Sequence, residues 1–239
     1  MSTQEFAPGL VIQGFTPPFD LSSYKLIAFD MDSTLINIEC VDEIADAAGR
    51  KAEVAAITEA AMRGEITDYK DSLRQRVALL KGVTEAHMLQ VYEQRLQLNP
   101  GAAELVAACK AAGLKVLLVS GGFTFFTDRI KARLGIDFAR SNVLEVQDGV
   151  LTGRMVDQPW GDICDGAEKR RTLLEVSTLM GIPASQTIAM GDGANDLPMM
   201  GVAGLSVAYH AKPRVRAEAM VAINQGGLDR LLELSTSGC

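Results

Sequence analysis

The sequence predicts an α/β fold in three layers: helices on both faces of a mainly parallel sheet, with a helical cap inserted after the first core strand. Three observations carry this. Short apolar runs of the buried-strand type recur along the 239 residues, each followed by a polar or glycine-rich turn. Longer helical patterns lie between them and stop at or near glycines, which is the alternation of βαβ units. That alternation breaks once, from Val41 to about Leu98, where amphipathic helices follow one another without a convincing strand.

In chain order, residues 1–20 read as a leader strapped to the core, because Thr16-Pro17-Pro18-Phe19-Asp20 fixes an extended, turn-prone path. Regular structure is expected after it, starting with the apolar run Tyr24–Phe29. The insertion carries helical patterns over Val54–Met62, Tyr69–Leu80 and Glu85–Leu96. The core resumes with a helix over Ala102–Ala112, a strand over Lys115–Val119 and a helix over Thr124–Leu134. A helix over Ala167–Met180, a strand over Thr187–Met190, a helix over Asn195–Val202 and a strand over Leu205–Ala208 follow. Gly113, Gly135, Gly181 and Gly204 serve as helix stops. The division is therefore a leader at 1–20, a core at 21–40 and 99–239, and a cap at 41–98.

Composition narrows the function. Hydrophobic residues make up 48% and charged residues 22%, enough apolar material for a sizeable core. A net charge of −7 opposes nonspecific binding to nucleic acid or to an anionic membrane. Cys40, Cys109, Cys164 and Cys239 are scattered, with no C-x-x-C pair, so neither a zinc cluster nor a disulfide framework is expected. No run reaches the ~18 apolar residues of a membrane span, and the N-terminus lacks the pattern of a secretory signal. The expected compartment is the reducing cytoplasm. His87 and His210 are too few for a His-rich metal site, and Leu118 stands where a G-x-S-x-G elbow around Ser120 needs glycine.

Ligands of open parallel sheets bind beyond the carboxyl ends of the strands, and four clusters fall at such places. Asp30 and Asp32 end the first apolar run. At ~4 Å and an effective dielectric of about 20, two like charges cost roughly 4 kcal/mol. Adding Asp192 and Asp196 makes a hard divalent cation the natural remedy, and Mg²⁺ suits carboxylate oxygens, a carbonyl and water. Alone, D-x-D is more often a solvated turn, while a calcium loop would need a third acid, a glycine and a terminal glutamate that D-M-D-S-T-L lacks. Ser120-Gly121-Gly122 can present a hydroxyl and N–H groups to an anion, or be a plain tight turn. Gly191-Asp192-Gly193 begins like a dinucleotide fingerprint, but Asp196 takes the place of its last glycine, and no phosphate-binding P-loop occurs. Lys169, in Ala167-Glu168-Lys169-Arg170-Arg171, reads either as part of a solvated basic face or as a cation reaching inward.

Taken in this order, the four clusters resemble the haloacid dehalogenase-like phosphatase superfamily. Its D-x-D-x-T signature stands as Asp30-Met31-Asp32-Ser33-Thr34, its hydroxyl motif as Ser120, its lysine as Lys169 and its metal motif as Gly191-Asp192-Gly193-x-Asn195-Asp196. Within it, Ile38–Ala45, Ala61–Glu65, Ser72–Val77, Val119–Thr124 and Ala208–Pro213 resemble the branch that dephosphorylates phosphoserine, and the likeness covers roughly residues 24–232. The resemblance implies a Rossmann-like core and hydrolysis of O-phospho-L-serine, the last step of serine biosynthesis, through an aspartyl-phosphate. Asp30 is then the nucleophile and Asp32 the general acid and base. Mg²⁺ is held by Asp30, the Asp32 carbonyl and Asp192, with waters oriented by Asn195 and Asp196.

The implied substrate-binding set is Ser120, Gly121, Gly122, Lys169 and Asn195 around the phosphate, with Glu39 for the ammonium and Arg76 for the carboxylate. Met62 and Tyr69 are candidates for the cap's apolar face. Expected partners are the small substrate phosphoserine and no nucleic acid or membrane, in a monomer or homodimer. Open alternatives are a phosphatase or phosphotransferase acting on phosphothreonine or a sugar phosphate, and a noncatalytic binder that keeps the fold as a scaffold.

Overall fold

The computed structural model describes residues 3–62 and 68–236, without the side chains of Glu59, Ala61 and Met62. Arg63, Gly64 and Glu65 of a matched stretch therefore lie outside the described residues, as does any part of the Met62 side chain in the cap.

Among the described residues, nine strands form one sheet: β1 (Thr3–Ala7), β2 (Leu10–Gln13), β3 (Leu26–Phe29), β4 (Lys115–Phe123), β5 (Phe138–Gln147), β6 (Val150–Val156), β7 (Thr187–Gly191), β8 (Leu205–Tyr209) and β9 (Val221–Ile223). Their spatial order is β1-β2-β9-β8-β7-β3-β4-β5-β6. The ladders from β9 across to β5 are parallel, and β1–β2, β2–β9 and β5–β6 are antiparallel. The four runs expected as strands are β3, β4, β7 and β8. Side chains alternate across a strand, so Leu26 and Ala28 pack on one face of the sheet while Ile27 and Phe29 pack on the other. β3 lies between β4 and β7, whose onward connections lead to opposite halves of the sheet. Its carboxyl end is the switch point at which such sheets bind ligands.

Between β3 and β4 the chain adds α1 (Cys40–Ala47), α2 (Lys51–Met62), α3 (Tyr69–Ala78) and α4 (Glu85–Gln94). α5 (Ala102–Ala111) and α6 (Thr124–Leu134) cover one face through Leu105, Phe126 and Ile130. α7 (Gly166–Leu179), α8 (Leu197–Met200) and α9 (Pro213–Glu218) cover the other through Leu173, Met199 and Val215. The helix expected over Asn195–Val202 is shorter, because a 3₁₀ turn at Ala194–Asp196 precedes it. No helix among the described residues is long and apolar enough to cross a membrane.

Two segments correct the expectation. The leader at 1–20 is not a strap ahead of the regular structure: β1 and β2 form a hairpin, and β2 pairs with β9 from Leu10↔Ile223 to Ile12↔Val221. Leu10 and Ile12 are buried and alternate with more exposed residues, and Gly9 turns the chain at φ 72°. The hairpin of β5 and β6, unassigned from sequence, turns at Asp148 and Gly149, whose φ values are 52° and 75°. Positive φ at both central residues is what a tight hairpin turn requires.

Among the described residues, hydrogen bonds and ion pairs attach the cap at several places. Its two linkers pair with each other: Asn37 N–H donates to the Gln97 carbonyl at 3.0 Å, and the Asn99 side chain donates to the carbonyls of Thr34 and Ile36 at 2.8 and 3.0 Å. The α3–α4 loop hydrogen bonds to the β5–β6 hairpin through Gly82 N–H to Leu151 O at 2.9 Å, Leu151 N–H to Val83 O at 2.7 Å and Glu85 N–H to Gly149 O at 3.1 Å. On the surface, Lys70 meets Asp162 at 2.8 Å and Asp165 at 3.8 Å, and Arg74 meets both Asp162 and Asp71.

Candidate active site

β3 delivers Asp30 to the sheet's edge, where its N–H still donates to Met190 O of β7 at 3.0 Å. Past it the backbone leaves the strand: Asp32 is extended and Ser33 is left-handed, with φ 56°. This sharp turn sets the two carboxylates in one cavity. Asp30 accepts from Met31 N–H at 2.7 Å and from the Lys169 ammonium at 2.8 Å. Lys169 also bonds Asp196 Oδ1 at 2.7 Å. The other oxygen of Asp196 accepts the N–H groups of Asp192 and Gly193 at 3.1 and 3.0 Å. Asp196 can fold back this far because Gly191 has no side chain, where a Cβ would stand 2.3 Å from the carboxyl carbon.

Lys169 decides between its two sequence readings. It is 0% exposed, on the first turns of α7, whose N-terminus Asp165 caps by accepting Glu168 N–H at 2.9 Å. It is not part of a solvated basic face. Burial works against its charge, but Asp196 and Asp30 outweigh burial and raise its pKa. It sits behind Asp30 and does not line the cavity.

Asp32 takes its hydrogen bonds from Cys40, the first residue of α1: from the N–H at 3.0 Å and from Sγ at 3.2 Å. Glu39, at the N-cap position, makes no side-chain cap bond to the helix, so Asp32 satisfies an N–H that helix termini leave open. Burial and the Glu39 charge push the Asp32 carboxyl up to about 7, against the Cys40 bonds that pull it down. Burial, followed by the charge of Asp196, lifts Asp192 to about 6 and raises Asp30 well above the usual range, with Lys169 opposing.

Oxygens of Asp30, Asp192 and Asp196 all lie within 4.8 Å of one another, close enough to hold a metal ion. With both Asp196 oxygens already bonded, Asp30 and Asp192 are the carboxylates turned toward a cation. Three carboxylates against one lysine leave an excess of negative charge on hard oxygen donors, and a divalent hard cation fits that set.

The cavity has a volume of about 350 Å³. Its floor is Asp30, Asp32, Ser120, Gly121, Gly122, Asp192 and Asn195, and its roof is Glu39 with cap residues including Tyr69, Leu73 and Arg76. Lys169 and Asp196 lie behind the lining, and the other described residues expected at the site line it. Ser120 is buried at the bend of β4, with its hydroxyl accepting Gly122 N–H at 2.9 Å. A Cβ on Gly121 would stand 2.1 Å from the Tyr69 hydroxyl, so a side chain there would displace the Tyr69 ring. Glu39 is exposed to the opening and accepts the Ser33 hydroxyl at 2.6 Å. Arg76 makes one long bond to its own helix, Nε to Ser72 O at 3.4 Å, and lines the cavity.

Three residues were missed from sequence. Cys40 holds Asp32. Asp42 lines the cavity with a buried oxygen, Oδ1, that has no hydrogen-bond partner among the described residues. Lys212 also lines it and donates its N–H to Asp192 O at 3.2 Å. Asp42 was findable as the residue one helical turn beyond Glu39; nothing local marks the other two.

Residues 27–201 match the family of haloacid dehalogenase-like hydrolases. The chain belongs to this family. Among relatives, a phosphoserine phosphatase of Polaromonas sp. is 78% identical over 234 residues, covering 98% of this chain and 99% of that one. Among solved structures of the family, a phospho-aspartyl intermediate analogue of phosphoserine phosphatase matches with TM-score 0.80 and 40% identity, over 88% of this chain and 98% of that one. A substrate-bound phosphoserine phosphatase complex matches with TM-score 0.78 and 38% identity, over 88% and 97%. Phosphatases of the haloacid dehalogenase-like family are metal dependent, and the acidic group at β3 and β7 has the donors for a metal.

Proposed function

We propose that the protein hydrolyses O-phospho-L-serine to L-serine and phosphate through a phosphorylated Asp30, with Mg²⁺ bound. The observation that carries this reading is one cavity with two carboxylates, Asp30 and Asp32, on its floor and opposite charges, Glu39 and Arg76, on its roof. It is supported by the high identity to a phosphoserine phosphatase over nearly the whole chain.

In the first half-reaction an Asp30 oxygen attacks phosphorus, and the bond to the serine oxygen breaks. The Asp32 carboxylic acid donates its proton to that oxygen. In the second, Asp32 takes a proton from water as the water attacks phosphorus and releases Asp30. A carboxyl that titrates near neutrality suits both steps. The Lys169 ammonium opposes the rise that burial and Asp196 impose on the Asp30 carboxyl, which favours the ionised nucleophile, and adds positive charge next to the phosphoryl oxygens. The Ser120 hydroxyl and the Gly121 and Gly122 N–H groups hold those oxygens as charge shifts between them. Asp30, the Asp32 carbonyl and Asp192 would hold Mg²⁺, with Asn195 and Asp196 fixing the surroundings of Asp192; when bound, the ion neutralises the transferring phosphoryl group. Arg76 offers a planar fork to the substrate carboxylate, and Glu39 meets the ammonium.

A phosphate-release screen over phosphoserine, phosphothreonine, sugar phosphates and an aryl phosphate tests this reading. Phosphoserine should lead, and EDTA should abolish release. Arg76→Ala should raise KM for phosphoserine by roughly 10- to 100-fold while leaving aryl phosphate turnover near the parent's. Equal loss on both substrates would remove Arg76 from substrate recognition.

A further inference from the structure

Ser120, Gly121 and Gly122 interrupt the ladder between β4 and β5. Val119 pairs with Arg140 and Phe123 with Asn142, so three residues of β4 face Ser141 alone. A strand that bulges leaves backbone groups without ladder partners, and buried backbone groups must be paired. The side chain of Asn142 fills the gap. Its amide nitrogen donates to Gly121 O at 2.7 Å, and its amide oxygen accepts Cys164 N–H at 2.8 Å. Asn142 is 1% exposed. The second bond ties it to the segment that leads into Asp165 and the start of α7, where Lys169 is carried.

The carbonyl of Gly121 and the N–H of Gly122 belong to one peptide unit, and in a trans peptide they point in opposite directions. A carbonyl held toward β5 therefore turns the N–H away from β5, and there it meets the Ser120 hydroxyl at 2.9 Å, on residues that line the cavity. Rotation of this peptide would aim a carbonyl oxygen, the negative end of the dipole, at any anion bound there.

We propose that Asn142 is a positioning residue for phosphoryl transfer: by gripping Gly121 O and Cys164 N–H it holds the Ser120–Gly122 loop with its donors facing the phosphoryl group. It does not line the cavity, so its effect passes through the loop. The inference rests on the role proposed above for Ser120, Gly121 and Gly122.

The test compares Asn142→Leu with Thr127→Val, which removes a neighbouring buried hydrogen bond, to Ser141 at 2.7 Å, and leaves the Asn142 bonds to Gly121 and Cys164 in place. Asn142→Leu should lower kcat on phosphoserine by roughly 10- to 100-fold and weaken competitive inhibition by inorganic phosphate by about tenfold. Thr127→Val should lose stability yet keep both within about twofold. Should Asn142→Leu fail to fold, Asn142→Ser is read by the same two measurements. A folded variant whose kcat and phosphate inhibition both match the parent's overturns the inference. A parent that releases no phosphate from phosphoserine instead overturns the functional reading, so the two failures are distinguishable.

Discussion

Two groups of ion pairs, built from the same kinds of side chain, hold different parts of this molecule. At the strand ends Lys169 stands between Asp30 and Asp196, with Lys169 and Asp196 fully out of solvent. On the seam between cap and core, Lys70 and Arg74 of α3 meet Asp162 with about a third to a half of each side chain exposed. Water screens the second group, and exposed pairs of this kind contribute about 0–1 kcal/mol. It cannot reach the first, where removing one partner strands the others at roughly 3–5 kcal/mol. The lesson is a division of labour. The proposed chemistry rests on a charge arrangement that solvent does not loosen, while part of the cap's hold is made of half-exposed pairs that water weakens.

The strongest challenge to this comparison is Asp30→Asn. It should lower phosphate release from phosphoserine by on the order of 10⁴-fold or more, in a preparation checked for deamidation, with the fold intact. Parent-like turnover would mean that the buried group is structural only. Next is Lys169→Met, which leaves Asp30 and Asp196 without their cation. Turnover should fall by roughly 10²- to 10³-fold, and denaturant unfolding should show a loss of about 3–5 kcal/mol. A loss no larger than that of a surface pair would erase the distinction.

On the seam, Asp162→Asn should cost less than about 1 kcal/mol and quicken amide exchange over Tyr69–Ala78 by at most about fivefold. A larger effect would make the seam a structural joint. The smallest effect is expected at a third pair, Lys115 with Asp137 at 2.7 Å. Burial pushes the Asp137 carboxyl up, but its bonds from Lys115 and from Val116 N–H outweigh burial and lower it. A carboxyl whose pKa is depressed on folding stabilises the fold above its unfolded value, about 3.9, and loses that contribution as pH falls through its folded value. The stability gap between the protein and Asp137→Asn should therefore narrow as pH drops below about 4. A gap constant down to pH 2 would mean that the charge contributes nothing.

What could be read from sequence tracks burial. β3, β7 and β8 are buried at nearly every residue and so stand out as apolar runs. β1 is mostly exposed, β5 mixes buried and half-buried positions, and β9 has three residues, so none rises above its surroundings. Turn chemistry held more than was used: Pro8-Gly9 and Asp148-Gly149 mark both overlooked hairpins. At the site, Asp30, Ser120 and Asp192 were legible because strand ends are where such sheets bind ligands. Lys169 was ambiguous because its sequence neighbours, Arg170 and Arg171, face solvent or the surface ion pairs. Cys40 and Asn142 were invisible, since each matters only through an element that must first be placed beside another: α1 over Asp32, and β5 along the bend of β4.

The bonds between Gly82–Glu85 and Gly149–Leu151 bear on how this enzyme can be re-engineered. A chimera that exchanged the four helices alone would bring a foreign loop to face Leu151, and its N–H and carbonyl would go unanswered unless the new loop presented the same backbone edge. Transplanting the helices together with residues 138–156 keeps that edge intact, so the natural unit of exchange between relatives is two separate stretches of sequence.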